Sequence, residues 1–166
     1  MNLITQERTE VAETIFAQLK KYLPAVLSNY PVEMAYLYGS MARKQPLPDS
    51  DVDIALVLSE ELPSSYAQLL LETKIQSALE DACGLGQLDV RAINHAPLTV
   101  QGTVVQEGIL LYSRDKDVRV AFEVAVRKRY FDYLPTLERM QRAFLKHVHE
   151  KGLVRGQHKN RHIHSQ

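Results

Sequence analysis

The sequence predicts an α+β fold in which helices pack on a mixed sheet of about four strands, with further helices at the C-terminus. Short segments rich in apolar, β-branched and aromatic residues alternate with longer segments whose apolar residues recur at helical spacing. Glycine, proline and serine separate these segments. The chain has 166 residues, of which 45% are hydrophobic and 24% charged. That is enough to bury the core of one globular domain, and a second large domain is not expected.

The first predicted element is a helix from Thr5 to Lys21. Apolar residues recur along it at helical spacing, acids stand near its beginning and two lysines near its end, as the helix dipole favours. Pro24 is expected to end or kink this helix, because proline has no backbone N–H to donate.

Four segments have the composition of strands. They are VEMAYLY (32–38), DVDIALVL (51–58), LDVRAIN (88–94) and ILLYS (109–113). In the second of them, alternation places Asp51 and Asp53 on one face and a row of apolar side chains on the other.

The remaining segments are predicted to be mainly helical. A helix fills 64–84, with serine available for its N-cap and glycine for its C-terminal cap, and 99–108 is helical or irregular. Near the C-terminus, Pro135 suits the first turn of a second helix better than the middle of one long helix. The chain is therefore divided into a core with its N-terminal helix (1–118), C-terminal helices continuous with that core (119–150) and a disordered basic tail (151–166).

The net charge of zero conceals an asymmetry along the chain. Residues 1–118 carry 9 Lys+Arg against 16 Asp+Glu, and residues 119–166 carry 11 against 4, giving −7 and +7. The acidic core is unsuited to direct binding of nucleic acid. The basic C-terminal arm could meet nucleic acid, an acidic partner or the chain's own acidic body, or it could be simply a solvated surface.

Composition also limits the cellular location and the chemistry. The sequence has no run of the ~20 apolar residues that span a membrane, and its N-terminus is polar and acidic, so a cytoplasmic protein without membrane contact is expected. The single cysteine, Cys83, cannot form an internal disulfide and has no neighbouring base that would make it a nucleophile.

Two acids begin the second predicted strand. Side chains two residues apart on a strand point the same way, with α-carbons about 6.5 Å apart, so Asp51 and Asp53 could both reach one or two divalent cations. Taken alone, such a pair is more often found in turns and caps.

Gly39 and Ser40 follow the first predicted strand and precede a short helical segment. Glycine lets a phosphate approach the backbone, serine adds a hydroxyl donor, and free N–H groups at a helix start favour negative charge. With Asp51 and Asp53 opposite, the two sides could bind a magnesium nucleotide.

The pattern Gly39-Ser40, ten residues, Asp51-Val52-Asp53 resembles the signature of the DNA polymerase beta nucleotidyltransferase superfamily, in its strand, turn and strand context as well as its spacing. The superfamily also has a third carboxylate on a neighbouring strand, for which Asp89 is the candidate. A strand-edge acid paired with an arginine is the alternative for Asp89. The chain departs from many superfamily members at Lys44, where they have glycine, and this puts the path of the loop in doubt.

The resemblance implies a fold and a chemistry. The fold is the minimal nucleotidyltransferase (polymerase beta-like) fold, and the reaction is attack of a hydroxyl on the α-phosphorus of ATP with two Mg²⁺. The three acids would bind the metal ions, and the third would also help to deprotonate the hydroxyl. Gly39, Ser40 and Arg43 would bind the nucleotide. The alternative for Arg43 is an exposed arginine at a helix end with no role in nucleotide binding, which has the same sequence pattern.

Over residues 30–115 the chain is similar to the minimal nucleotidyltransferase (MNT) antitoxins encoded beside HEPT-domain toxins. This resemblance implies transfer of AMP to a tyrosine of a cognate HEPT-domain ribonuclease toxin within a hetero-oligomeric complex. We expect the C-terminal helices to dock that toxin. An antitoxin that acts by binding alone and a small-molecule enzyme akin to aminoglycoside nucleotidyltransferases are the alternatives.

Overall fold

A computed structural model of the chain describes residues 3–43 and 51–151, with side chains for 9–43 and 51–150. In chain order the elements are α1 (Leu3–Leu27), β1 (Val32–Tyr38), α2 (Gly39–Ala42), β2 (Val52–Leu58), α3 (Ser65–Cys83), β3 (Leu88–Ala92), α4 (Leu98–Glu107), β4 (Ile109–Ser113) and α5 (Lys116–Lys151). Within the described ranges, no helix is long and apolar enough to cross a membrane.

The four strands form one mixed sheet in the order β3-β2-β1-β4. Strand β1 is antiparallel to both β2 and β4, whereas β2 and β3 are parallel. The α+β class and the four-stranded mixed sheet predicted from the sequence are confirmed. In this topology the end of β1 and the beginnings of β2, β3 and β4 meet at one end of the sheet.

The larger apolar cluster lies on the sheet face covered by α1 and α3. Leu19, Leu23 and Leu27 of α1 and Ile75 and Leu79 of α3 are fully buried there. Each such burial contributes about 1.5–3 kcal/mol, so this face provides most of the apolar stabilisation.

A smaller cluster forms on the opposite face of the sheet. It includes Tyr36 of β1, Ala55 of β2, Ile93 immediately after β3 and Val104 of α4, with Phe122 of α5 packed against it. Because strand side chains alternate, the acids of β2 and β3 share this second face rather than the main core.

Helix α1 continues through Pro24 to Leu27, so the prediction that proline would end the helix there is wrong. Proline inside a helix costs about 3 kcal/mol because one hydrogen bond is lost. Leu23 and Leu27 have no exposed surface, and burying both offsets that loss.

Helix α3 has the two caps that the sequence predicts. The hydroxyl of Ser64 accepts a hydrogen bond of 3.1 Å from the backbone N–H of Ala67 at the N-terminus. Gly84 ends the helix in the left-handed conformation, with φ of 63°. Both caps are local features, which is why the sequence alone identifies them.

Helix α5 is a single helix through Pro135, so the predicted second helix is not formed. It begins after Asp115, whose carboxylate accepts hydrogen bonds from the N–H groups of Asp117 and Val118. Pro135 is exposed, and water can solvate the carbonyl that a proline leaves without its helical partner.

The chain divides into two compact units, residues 1–130 and 131–166. The first unit contains the whole sheet, helices α1–α4 and the beginning of α5. Within it, the Tyr36 hydroxyl donates a 2.9 Å hydrogen bond to Glu123 of α5. Described residues of the second unit form the rest of α5, and most of the predicted tail lies outside the described ranges.

Candidate active site

Two of the predicted acids are neighbours at the end of the sheet. Asp53 is paired in register with Asp89 on the parallel strand β3 and with Tyr38 on the antiparallel strand β1. Asp51 is exposed and immediately precedes β2. The structure therefore brings Asp53 and Asp89 side by side, as expected from the sequence, and leaves Asp51 at the rim.

Gly39 is placed directly against Asp53. Its φ is 72°, a left-handed conformation that glycine adopts readily and other residues rarely do. A Cβ atom at this position would overlap Oδ2 of Asp53, so the Asp53 side chain would have to shift to admit it. Glycine here thus makes room for a carboxylate as well as allowing the turn into α2.

Ser40 lies in the first turn of the four-residue helix α2 and is half-buried. Residues 44–50 of the connection, including Lys44, lie outside the described ranges. The roles of Gly39 and Ser40 toward a nucleotide therefore remain predictions.

The electrostatics of the sheet end favour a cation. Burial raises the pKa of Asp53, and the neighbouring charges of Asp89 and Asp51 raise it further, while Arg43 acts in the opposite direction. Burial also raises the pKa of Tyr38, with Asp53 and Asp89 adding to the effect. Carboxylates that repel one another in this way are stabilised when a divalent cation binds between them.

Asp89 has a basic partner on its own strand. Its Oδ1 accepts a 2.8 Å hydrogen bond from Nε of Arg91, and Arg91 also lies 3.6 Å from Glu72 on α3. The pairing with arginine considered as the alternative for Asp89 is thus present. It occurs together with the register pairing to Asp53 and the charge interaction with it, so it does not replace the site interpretation.

Arg43 ends α2 and forms an ion pair of 3.3 Å with Glu107 at the end of α4. Both side chains are about half exposed. Because Arg43 lowers the pKa of Asp53, its charge acts on the acidic site even while it is paired with Glu107. Contact between Arg43 and a nucleotide remains a prediction.

Among the residues that the structure describes, no three His, Cys, Asp or Glu side chains converge closely enough to enclose a metal ion. The donors that fit Mg²⁺ are the oxygens of Asp53 and Asp89, with Asp51 next to them in sequence. These hard carboxylate ligands are the type that Mg²⁺ prefers. The assignment of Asp51, Asp53 and Asp89 as metal ligands is a prediction.

Sequence reasoning missed Tyr38 and the pair Arg91–Glu72. Tyr38 stands immediately before Gly39, so its nearness to the acids could have been inferred from the antiparallel pairing of β1 and β2. Arg91 shares a strand face with Asp89, which the alternation predicts. Its contact with Glu72 depends on how α3 packs on β3, and no local signal indicates that packing.

Comparison with known proteins identifies related sequences and folds. A model of the family described as "Polymerase beta, Nucleotidyltransferase" matches residues 20–117. A search of curated protein sequences found no significant match.

Several solved structures share the fold. A chain from a toxin–antitoxin crystal structure with AMP-PNP has 20% identity and a TM-score of 0.57, over 78% of this chain and 98% of that one. A chain from the complex of tri-AMPylated Shewanella oneidensis HEPN toxin with MNT antitoxin has 20% identity and a TM-score of 0.54, over 81% and 98%. One from the toxin–antitoxin MntA–HepT has 21% identity and a TM-score of 0.52, over 79% and 97%. At these identities the likeness shows a common fold, and about a fifth of the present chain has no counterpart.

Proposed function

The chain belongs to the polymerase beta nucleotidyltransferase family, and from that premise we propose that it is an antitoxin that transfers AMP from ATP to a tyrosine of a HEPN-type (HepT) toxin. Three solved structures that share its fold come from toxin–antitoxin systems, one with AMP-PNP and one with an AMPylated toxin. They support the choice of partner and of the group transferred.

The observation that carries this proposal is the end of the sheet around Asp53. Its carboxylate lies beside that of Asp89 and against the backbone of Gly39. Two neighbouring acids and a glycine turn are what a magnesium nucleotide requires, since the acids bind the cation and the turn admits the phosphates. The burial-raised pKa of Asp53 adds a reason for a cation to bind there.

Each residue has a proposed role in the transfer. Asp51, Asp53 and Asp89 would hold two Mg²⁺, which when bound neutralise the triphosphate and lower the pKa of the attacking hydroxyl. The backbone at Gly39, the hydroxyl of Ser40 and the guanidinium of Arg43 would hold the phosphates.

The reaction is a single displacement at phosphorus. The tyrosine oxygen of the toxin forms a bond to the α-phosphorus, and the bond from that phosphorus to the bridging oxygen breaks, releasing pyrophosphate. Asp89 accepts the tyrosine proton. The toxin leaves with an AMP ester on its tyrosine.

We propose that the C-terminal part of α5 docks the toxin. Three large apolar side chains there are strongly exposed, Met140 at 60%, Phe144 at 61% and Leu145 at 64%. A protein acceptor must be held so that its tyrosine meets the α-phosphate, and exposed apolar residues are suited to such a contact.

Phe144→Glu is expected to weaken toxin binding, measured by calorimetry, while leaving ATP binding unchanged.

The decisive experiment is the intact mass of the toxin after incubation with this protein, ATP and Mg²⁺. We propose that the toxin is the product of the neighbouring gene, and we expect the mass of that product to rise by whole AMP units. The variant with Asp51→Asn and Asp53→Asn should abolish the gain. Asp117→Asn is the matched control, because it removes an exposed acid near the other end of the sheet.

The alternatives predict other outcomes. A toxin that is bound and silenced without any mass gain would mean that the antitoxin acts by binding alone. Turnover of ATP only in the presence of a small-molecule acceptor would indicate that the protein is a small-molecule nucleotidyltransferase. Protection of cells by the Asp51→Asn, Asp53→Asn variant at equal expression would contradict the enzymatic proposal.

A further inference from the structure

At the edge of the sheet, Arg91 pairs with two carboxylates, one exposed and one buried. Its Nε lies 2.8 Å from Oδ1 of Asp89, and its Nη1 lies 3.6 Å from Oε2 of Glu72. Asp89 is 40% exposed in its side chain, whereas Glu72 is only 7% exposed. Arg91 therefore connects the rim of the acidic site to a buried carboxylate.

Glu72 is a fixed anchor for this connection. Its Oε1 accepts hydrogen bonds of 2.8 Å from the backbone N–H of Ala92 and from the side chain of Gln68. Because one oxygen is held by strand β3 and by α3 itself, the other has a defined position facing Arg91. An arginine tied to a fixed carboxylate loses little further freedom when it bonds a second one.

The other side of Asp89 is the site of the proposed reaction. Asp89 stands in register with Asp53, and within residues 3–43 and 51–151 Asp53 has no hydrogen-bonded or ion-paired side-chain partner of its own. Among the described residues, Arg91 supplies the positive charge in direct contact with Asp89. It occupies one oxygen of Asp89 and leaves the other for a different ligand.

We infer that Arg91 is a positioning residue, which holds Asp89 by one oxygen and competes with a divalent cation for that carboxylate. This inference rests on the proposed function, since it assumes that the acids bind Mg²⁺. Without Arg91, Asp89 could offer both oxygens to a cation, so the cation should bind more tightly. Asp89 would then be less well oriented to accept the proton of the acceptor, so the transfer should be slower.

The test is a titration of the full-length protein with Mn²⁺, followed by the electron paramagnetic resonance signal of the free ion. Arg91→Met is expected to lower the Kd for Mn²⁺ about two- to fivefold, the range that an exposed ion pair supports. Arg91→Lys keeps a positive charge and should return the Kd toward the wild-type value. Arg142→Met, an exposed arginine of α5 whose Nε bonds its own helix, is the matched control and should leave the Kd unchanged.

A double variant shows whether Arg91 acts through Asp89. In an Asp89→Asn background, Arg91→Met should no longer change the Kd, because the carboxylate for which the two cations compete is gone. An equal effect with and without Asp89 would overturn the inference, as would an unchanged Kd in the Arg91→Met single variant. If the wild-type protein binds no Mn²⁺, the result would contradict the metal site itself and therefore the proposed function.

Discussion

At the scale of single residues, the most demanding position is Gly39. Its φ of 72° and the overlap of a Cβ atom with Oδ2 of Asp53 both disfavour a side chain here. We expect Gly39→Ala to lower the free energy of unfolding by about 1–3 kcal/mol and to abolish AMP transfer, because Asp53 must move. Urea unfolding and the toxin mass assay measure the two effects.

Gly84 is the matched control for this substitution. It also has a left-handed φ, of 63°, but a Cβ atom there would meet nothing within 4 Å. Gly84→Ala should therefore cost only the conformational strain of about 1 kcal/mol and leave the transfer intact. Equal losses of activity in the two variants would mean that the contact with Asp53 is unimportant.

The sequence predicts the residues of the site better than their partners. Gly39, Ser40, Asp51 and Asp53 lie close together along the chain, so their spacing predicts that they belong to one site. The partners of Arg43 and Arg91 are Glu107 and Glu72, which come from other segments. Such pairs depend on how helices pack on the sheet, and local sequence carries no signal for that packing.

At the scale of elements, helices α4 and α5 touch through a glycine. A Cβ atom at Gly102 would lie 2.3 Å from the ring of Tyr130. Alanine would raise the helix propensity of α4 by up to about 1 kcal/mol, but overpacking of this kind costs about 1–3 kcal/mol. We therefore expect Gly102→Ala to lower the Tm, measured by circular dichroism.

The sign of that effect should reverse when the ring is removed. In a Tyr130→Ala background the clash is absent, so Gly102→Ala should raise the Tm through helix propensity alone. A loss of stability in both backgrounds would show that something other than Tyr130 occupies the space beside Gly102.

Pro135 tests the continuity of α5. In one continuous helix, alanine at this position restores the backbone N–H that can bond the carbonyl of Phe131, a local gain of up to about 3 kcal/mol. We expect Pro135→Ala to increase the helical circular dichroism signal and the protection of neighbouring amides from exchange. Thr136→Ala, which also removes an exposed hydrogen bond from Arg139, is the control for helix propensity, and an equal response of the two variants would contradict a continuous helix.

The elements that the sequence predicts well are those with local causes. The strands follow from their composition, and α3 follows from its serine and glycine caps. Pro24 misled the prediction because a proline penalty is local whereas burial of Leu23 and Leu27 depends on the assembled core. Pro135 misled it because water can solvate the carbonyl beside an exposed proline. Tertiary burial can exceed the local cost of a proline.

At the scale of the whole molecule, the boundary of the first unit after Tyr130 predicts which truncation folds. A chain ending at Tyr130 keeps both apolar clusters and the hydrogen bond from Tyr36 to Glu123. A chain ending at Val118 loses Glu123 and the fully buried Val126. We expect the chain ending at Tyr130 to unfold cooperatively in urea with a midpoint near that of the wild type, and the chain ending at Val118 to have a clearly lower midpoint. Equal midpoints for the two truncated chains would contradict a unit boundary after Tyr130.

The boundary after Tyr130 also separates a C-terminal segment of net positive charge from the rest of the chain. Residues 131–166 carry 7 Lys+Arg against 3 Asp+Glu, and about a fifth of the chain has no counterpart in the solved structures that share its fold. The net charge of zero conceals this excess of basic residues, which the charge count along the sequence reveals.

The central position of β1 affects how the protein is made. Strand β1 can pair with β2 once the short connection through α2 and β2 itself have been synthesised. Its other edge pairs with β4, so Leu37 can pair with Ile109 only after β2, α3, β3 and α4 have also been synthesised. During translation β1 therefore has one unpaired edge until most of the chain has left the ribosome. Open edges of apolar strands are sites of aggregation. A chain interrupted before β4 should therefore need a chaperone or be degraded.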